Sequence, residues 1–299
     1  MTKEAPERIT LAEIFAPFYE KHASKLVSSY QAQLSLSYWL DFFEEATVAD
    51  ATDVSEQERF QHWLLTEKDL NPNTAHRVVA IGKTALNWAW KRGHLASVPY
   101  ILPVKKVAAP PKGRPLEPTE IDTLLALAKS QHLRDFIYLM IATAARPDAI
   151  LDLTQAQCSV EKRLIQLNPN GREQTKKHRP TVKMPEHIVP LIERLRQTSK
   201  SPHLITYHGK SVASVKKAWR DTRTLAELDM AVNPYSLRHT MARWLRTQSV
   251  PAWEVAAQLG HKQSGMSTTE IYASYDPAYL SQSVKAIDTF FDQLRVKCV

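Results

Sequence analysis

The fifteen residues HKQSGMSTTEIYASY, from His261 to Tyr275, hold a histidine, a helix-start signal and two tyrosines, Tyr272 and Tyr275. A tyrosine serves either through its ring, as packing, or through its oxygen, as a nucleophile. The free phenol has a pKa of about 10, so attack near neutral pH needs a cationic pocket that favours phenolate or a base that takes the proton. Cations suited to such a pocket stand elsewhere in the chain. Arg146, in TAARPDAILDL, and Arg238, in YSLRHT, are planar, permanently charged forks that match phosphate oxygens, where a lysine offers only a point charge. Moving a phosphoryl group onto a protein oxygen needs a nucleophile, cationic donors for the nonbridging oxygens and an acid for the leaving alkoxide. Each role has a candidate here. Each candidate also has an ordinary structural reading: tyrosines pack, arginines at helix ends form salt bridges, a histidine after a helix-ending glycine caps, and the neighbours Lys176 and Lys177 form a solvated pair.

Bringing these groups together calls for two folded bodies. A chain of 299 residues is longer than one average domain and long enough for two, each able to bury a core. At 43% hydrophobic and 23% charged, the composition is that of an ordinary globular protein. The formal charge of +8 is unevenly spread: residues 1–100 hold 10 basic against 13 acidic side chains, the remainder 29 against 18. A positive surplus of that size in one region is the footprint of a phosphate-backbone binder. The apolar run FIYLMIATAA at 136–145 is about half the roughly 20 residues of a bilayer span, so no membrane helix is expected. The first fourteen residues show no basic stretch leading into an apolar one, so a cytosolic location is expected. Cys158 and Cys298 lack CxxC or Cys/His spacing and read as inert thiols, and without a Walker loop, an EF-hand or a metal cluster no cofactor is expected.

The fold class expected is mainly α: a helical N-terminal domain over 1–100, a basic proline-rich linker over 101–114, and a mostly helical domain with a small antiparallel β-sheet over 115–299. In the first domain Ser55 with Glu58 reads as a capping box that starts a helix. Val78, Ile81, Ala85 and Trp88 share one face of another, which Gly93 ends. Six prolines fall between Pro99 and Pro118, with Lys105, Lys106, Lys112 and Arg114 among them. Past the linker, PTEIDTLLALAKS and HLRDFIYLMIATAA are helical, and Pro147 places Arg146 at a junction rather than mid-helix. RLIQL and RPTVKMP read as strands around a polar stretch containing Lys176 and Lys177. Helices return at HIVPLIERL, VASVKKAWRDT, PYSLRHTMARWLRTQ and PAWEVAAQL, the last closed by Gly260. Ser267 with Glu270 marks a short helix carrying Tyr272 and Tyr275 on one face. Leu280, Val284, Ile287, Phe291 and Leu294 form the apolar stripe of a terminal helix.

Four patterns, TAARPDAILDL at 143–153, QTKKHRPTVKMP at 174–185, YSLRHT at 235–240, and LGH at 259–261 followed by TTEIY ending at Tyr272, together resemble the motifs of the tyrosine recombinases, the phage integrase family, in order and approximate spacing. The resemblance implies a core-binding domain and a catalytic domain that grip duplex DNA as a C-shaped clamp. It implies that Tyr272 is the nucleophile, with Tyr275 as backup. Arg146 and Arg238 match the phosphate-binding arginines, Lys176 (or Lys177) the lysine that protonates the departing 5′-oxygen, and His261 a phosphate-contacting position. It further implies a 3′-phosphotyrosyl intermediate, a Holliday junction, and a homotetramer on DNA assembled through the C-terminal helix, whose stripe otherwise packs within its own chain.

Two positions depart from the family pattern. Tyr235 stands where the family usually has histidine, and a phenol is a far poorer base near pH 7; His239 then has a supporting role. Ala149 stands where the family has an acidic residue, with Asp148 one place early, either orienting Arg146 or capping the helix that Pro147 begins. These departures keep a noncatalytic DNA-binding protein in view, and the shared chemistry keeps a type IB topoisomerase in view. The short stretch ahead of residue 10 favours a simple recombination site without distant arm sites.

Overall fold

The structure, a computed structural model, describes residues 8–108, 112–175, 177–261 and 276–297. The chain is mainly helical with two small antiparallel sheets, and it divides into two compact units, Met1–Pro110 and Pro111–Val299.

The first unit holds α1 (Leu11–Lys21), α2 (Ser29–Phe43), α3 (Val48–Thr52), α4 (Val54–Thr66) and α5 (Pro72–Lys91). Thr10 with Glu13 and Thr47 with Asp50 form capping boxes that start α1 and α3. The box expected at Ser55 is not the cap of α4. Asp53 is: its carboxylate accepts from the backbone of Ser55 at 2.9 Å and of Glu56 at 3.2 Å, and the Ser55 hydroxyl donates to it as well. A carboxylate two residues upstream out-competes the hydroxyl, and those bonds, led by that of the Ser55 side chain, hold Asp53 below the usual carboxylate range. On α5, Val78, Ala85 and Trp88 are buried and Ile81 half-buried as the spacing predicts, and Gly93 follows in the left-handed conformation. Residues 100–107 of the proline-rich stretch lie along this unit, with Gln57 bonded to the backbone of Tyr100 and Leu102, and Ile101 and Val104 buried.

Trp39 is the centre of the first unit's core. It is fully buried, and its indole N–H donates to the carbonyl of Val78 at 3.0 Å. The indole reaches that carbonyl because Gly82, one turn further along α5, has no side chain: a Cβ there would sit 2.3 Å from the Trp39 ring.

The second unit contains α6 (Pro118–Leu127), α7 (Gln131–Thr143), α8 (Pro147–Leu151), β1 (Cys158–Ser159), β2 (Leu164–Gln166), β3 (Thr181–Lys183), α9 (Val189–Thr198), β4 (Thr206–Tyr207), β5 (Lys210–Ser211), α10 (Lys216–Leu225), α11 (Pro234–Thr247), α12 (Ala252–Leu259) and α13 (Ser281–Gln293). The apolar run at 136–145 is its central helix, α7, and the residues that follow, buried throughout. Among the described residues no helix is long and apolar enough to cross a membrane. The sheet order is β1-β2-β3, and the register Cys158↔Ile165↔Val182 places three buried side chains on one face. Burial pushes the Cys158 thiol up to about 12, which makes it inert; Cys298 lies outside the described residues. The hairpin β4–β5 was not among the expected elements. Its loop, His208-Gly209, has positive φ at both residues, as a two-residue hairpin turn requires.

The terminal stripe is used within the chain. Leu280, Ile287, Phe291 and Leu294 are buried in the second unit's core, with α13 against α7, α11 and α12. Trp244 donates to the Ala286 carbonyl at 2.7 Å, and the buried carboxylate of Glu254 accepts from the Ser283 backbone at 2.6 Å. Of the two roles open to this stripe, packing within its own chain is the one present here.

Because inserted volume in a packed core costs about 1–3 kcal/mol and Trp39 is fully buried, Gly82→Ala should destabilise the full-length chain by about that free energy, read as a fall in its urea midpoint by tryptophan fluorescence. An unchanged midpoint would show that the indole moves freely.

Candidate active site

The site is assembled from three chain breaks. The first lies between α7 and α8. Helix α7 stops at Thr143, and Ala144 takes the left-handed conformation with φ +52°, which costs an alanine roughly 1–2 kcal/mol. That turn points the Ala144 carbonyl away from the helix it would otherwise serve. Two residues on, Arg146 is extended and Pro147 begins α8, so Arg146 occupies the junction that the proline predicts.

The second break is the end of α12. Gly260 is left-handed with φ +65°, and a Cβ on it would lie 2.7 Å from the carbonyl oxygen of His178 and 2.7 Å from Cδ of Pro180. Conformation and close approach therefore both require glycine here. This contact joins the end of α12 to the third break, the β2–β3 connection. Gln258, buried on α12, donates to the Thr143 carbonyl at 2.9 Å and ties the first and second breaks together.

Arg238 reaches into this junction from α11. It is buried, and it donates through Nη1 to the Ala144 carbonyl at 2.8 Å and through Nη2 to the Leu259 carbonyl at 2.8 Å, with His261 Nε2 at 3.1 Å from Nη2. Arg146 donates through Nη1 to the His178 carbonyl at 2.9 Å. Both arginines line one small cleft with Ala149, His178, Arg179 and Gln258. Neither forms a salt bridge among the described residues.

The electrostatics follow from that missing carboxylate. Burial first and the nearby Arg146 second pull the Arg238 pKa down to about 10, while Tyr235 works the other way. Arg238 stays charged at neutral pH. His261 is held below its ordinary value by burial and then by the charges of Arg238 and Arg146. A guanidinium has no acceptor, so its 3.1 Å contact with Nε2 requires the lone pair there. The imidazole is therefore neutral, with its proton on Nδ1. Two guanidinium groups without a carboxylate partner among the described residues, beside a neutral imidazole, make a cleft suited to an anion with several oxygens, such as a phosphodiester.

The remaining expected residues fall as follows. Lys176, Tyr272 and Tyr275 lie outside the described residues. Lys177 is exposed, its backbone N–H bonded to Thr175. Asp148 is exposed in the first turn of α8 and makes no bond to Arg146, whose partner is the His178 carbonyl, so of its two expected roles the helix-end position is the one present. Tyr235 is half-buried in the first turn of α11, its N–H on Asn233. His239, also half-buried, faces a separate shallow groove with Arg243 and Arg246. Gln258 and the left-handed Ala144 were not anticipated: a lone glutamine in an apolar helix and an alanine with positive φ carry no local signal. Gly260 was read as a helix stop, and its contact with residues 178 and 180 depends on chain approach across about eighty positions.

This fold and this cleft can be set beside known proteins. The model of the Phage integrase family matches residues 114–278, more than half of the chain. The chain belongs to the phage integrase family and is a tyrosine-type recombinase. Among solved structures, a lambda integrase dimer bound to a COC′ core site is 14% identical, with 86% of this chain and 97% of that one covered and a TM-score of 0.67. A lambda integrase tetramer bound to a Holliday junction is 13% identical, covering 90% and 80%, with a TM-score of 0.68. The Tn1549 transposon integrase in complex with circular intermediate DNA is 17% identical, covering 91% and 98%, with a TM-score of 0.68. These likenesses establish the fold. The comparison with curated proteins found no match.

The histidine assignment has a pH signature. Since the folded state disfavours imidazolium relative to the unfolded pKa of about 6.5, the stability contributed by His261 is complete above that value and is lost as pH falls below it. A proton–nitrogen NMR titration should place His261 below about 6.5 with Nδ1 protonated at neutral pH. A higher value, or a proton on Nε2, would contradict the contact with Arg238.

Proposed function

We propose that the chain cuts and rejoins double-stranded DNA at a specific site through a 3′-phosphotyrosyl intermediate. Tyr272 loses its phenolic proton to solvent, as the cationic pocket favours the phenolate, and attacks the scissile phosphorus; the bond to the 5′-oxygen breaks, and Lys176 gives that oxygen its proton. Arg146 and Arg238 bind the nonbridging oxygens as charge builds on them, and His261 hydrogen-bonds the same phosphate. One phosphoester replaces another, so the exchange is close to isoenergetic and runs backwards when a 5′-hydroxyl from a partner duplex attacks. Two such rounds through a Holliday junction complete recombination.

The observation that supports this reading is the convergence of Arg146 and Arg238 on one cleft, where neither has a carboxylate partner among the described residues. Tyr235 stands where the family usually has histidine, and a phenol is a poor base near pH 7, so no side chain is assigned as the base for Tyr272. Reading the first unit as the core-binding domain, and residues 115–299 as the catalytic domain, follows the family pattern and assigns DNA contacts to both. The acidic balance of residues 1–100 leaves Arg77, Lys83, Lys91 and Arg92 as that unit's candidate phosphate contacts. Lambda integrase forms a tetramer on a Holliday junction, and a homotetramer on DNA is the corresponding assembly here. For the apolar stripe of α13 to join protomers, the helix would have to leave its seat against α7, α11 and α12. The setting is the cytoplasm, where DNA is accessible.

The test is covalent capture. Incubated with a pool of nicked suicide duplexes of randomised sequence, the full-length protein should give a denaturant-resistant adduct, and Tyr272→Phe should give none. Sequencing the trapped DNA then identifies the site. An adduct from both proteins would move the nucleophile, with Tyr275 next in line. Adduct without strand exchange would favour a topoisomerase, and binding without adduct would favour a noncatalytic DNA-binding protein.

A further inference from the structure

The cleft has a third arginine that neither the motif pattern nor the roles above employ. Arg179, at the end of the β2–β3 connection, lines the cleft with Arg146 and Arg238. Its side chain is only 11% exposed, and Nη1 donates to Oδ2 of Asp152 at 2.8 Å, just past the end of α8. The backbone is fixed on both sides by one carboxamide: Gln174 Oε1 accepts from the Arg179 N–H at 3.1 Å, and Gln174 Nε2 donates to its carbonyl at 2.9 Å. The arginine is therefore held at three points before any ligand arrives.

That fixation leaves the rest of the fork available. A guanidinium carries five N–H donors, and the bond to Asp152 uses one. Arg134, Arg163 and Arg194 each have a sealed guanidinium nitrogen without a partner, and among the described residues Arg179 is not one of these. Asp152 is half exposed, so the pair is open at its edge rather than closed in the core. Ala149 of α8 also lines the cleft.

We propose that Arg179, oriented by Asp152 and Gln174, is a third guanidinium of the site and contacts a nonbridging oxygen of the scissile phosphate. This rests on the phosphoryl-transfer reading given above. It assigns Asp152 and Gln174 as positioning residues, which hold the fork and do not touch the DNA. A fork that is fixed beforehand stabilises developing charge without reorganising when the charge appears.

The experiment uses the duplex recovered by covalent capture and its counterpart with a methylphosphonate at the scissile position, which removes the nonbridging charge. With the phosphodiester, Arg179→Ala should form adduct at least about tenfold more slowly than the unmodified protein, with Arg179→Lys restoring only part of the rate. On the methylphosphonate the gap between Arg179→Ala and the unmodified protein should shrink to within about threefold, because the charge that Arg179 answers is absent. Asp152→Asn should show a weaker defect with the same dependence on substrate charge. An equal loss on both substrates would mark Arg179 as structural and overturn the proposal, as would adduct formation by Arg179→Ala at the unmodified rate. Failure of the unmodified protein to form adduct would instead remove the phosphoryl-transfer reading itself, and this proposal with it.

Discussion

The buried guanidinium of Arg238 is the group on which the site depends. It joins the carbonyl left over where α7 ends, the carbonyl near the end of α12 and the imidazole that follows. The first of these acceptors is more than a hundred residues from the other two. A neutral side chain in its place would leave the Ala144 and Leu259 carbonyls without that donor and His261 without the neighbour that sets its tautomer. A lysine would place one ammonium where two arms of a fork are needed.

Charge gives this arrangement its purpose. Buried cations in proteins are ordinarily matched by carboxylates, because removing a charge from water costs several kcal/mol. Arg194 with Asp135 follows that rule elsewhere in the second unit. Arg238 instead has carbonyl dipoles, which satisfy its N–H groups but leave its charge in place, and Arg146 nearby makes matters worse by repulsion. The left-handed Ala144 adds strain at the same point. Such concentrated cost within a few residues is common where a ligand is to supply the missing term, and under the proposed function that ligand is the scissile phosphate, an anion. The neutral state of His261 belongs to the same balance, since it adds a hydrogen-bonding group without a third charge.

Much of this was legible in the residues alone. Helices appear where local signals marked them: α5 and α12 are each followed by the glycine read as its stop, and α11 covers the segment read as helical. Pro147 marked the junction at Arg146 for a reason that needs no tertiary context. Local rules failed where two of them competed: Asp53 displaced Ser55 as a cap because a carboxylate accepts more strongly than a hydroxyl. The His208-Gly209 hairpin was missed because His-Gly is not among the pairs, such as Asn-Gly or Asp-Gly, that mark a two-residue turn. The cleft itself was readable only as a set of charged residues. Its convergence depends on Gly260 seating against residues 178 and 180 and on Gln258 reaching Thr143, and no periodicity encodes either contact.

The central claim is that Arg146 and Arg238 act on one phosphorus. A double-mutant cycle on adduct formation addresses it directly, using Arg146→Lys, Arg238→Lys and the pair, which keep charge while removing the fork. Groups that serve the same transition-state oxygens act as a unit, so the double variant should lose far less than the two single losses combined, with a coupling of about 1 kcal/mol or more. Losses that simply add would place the two arginines on separate tasks and contradict the shared cleft as the seat of catalysis.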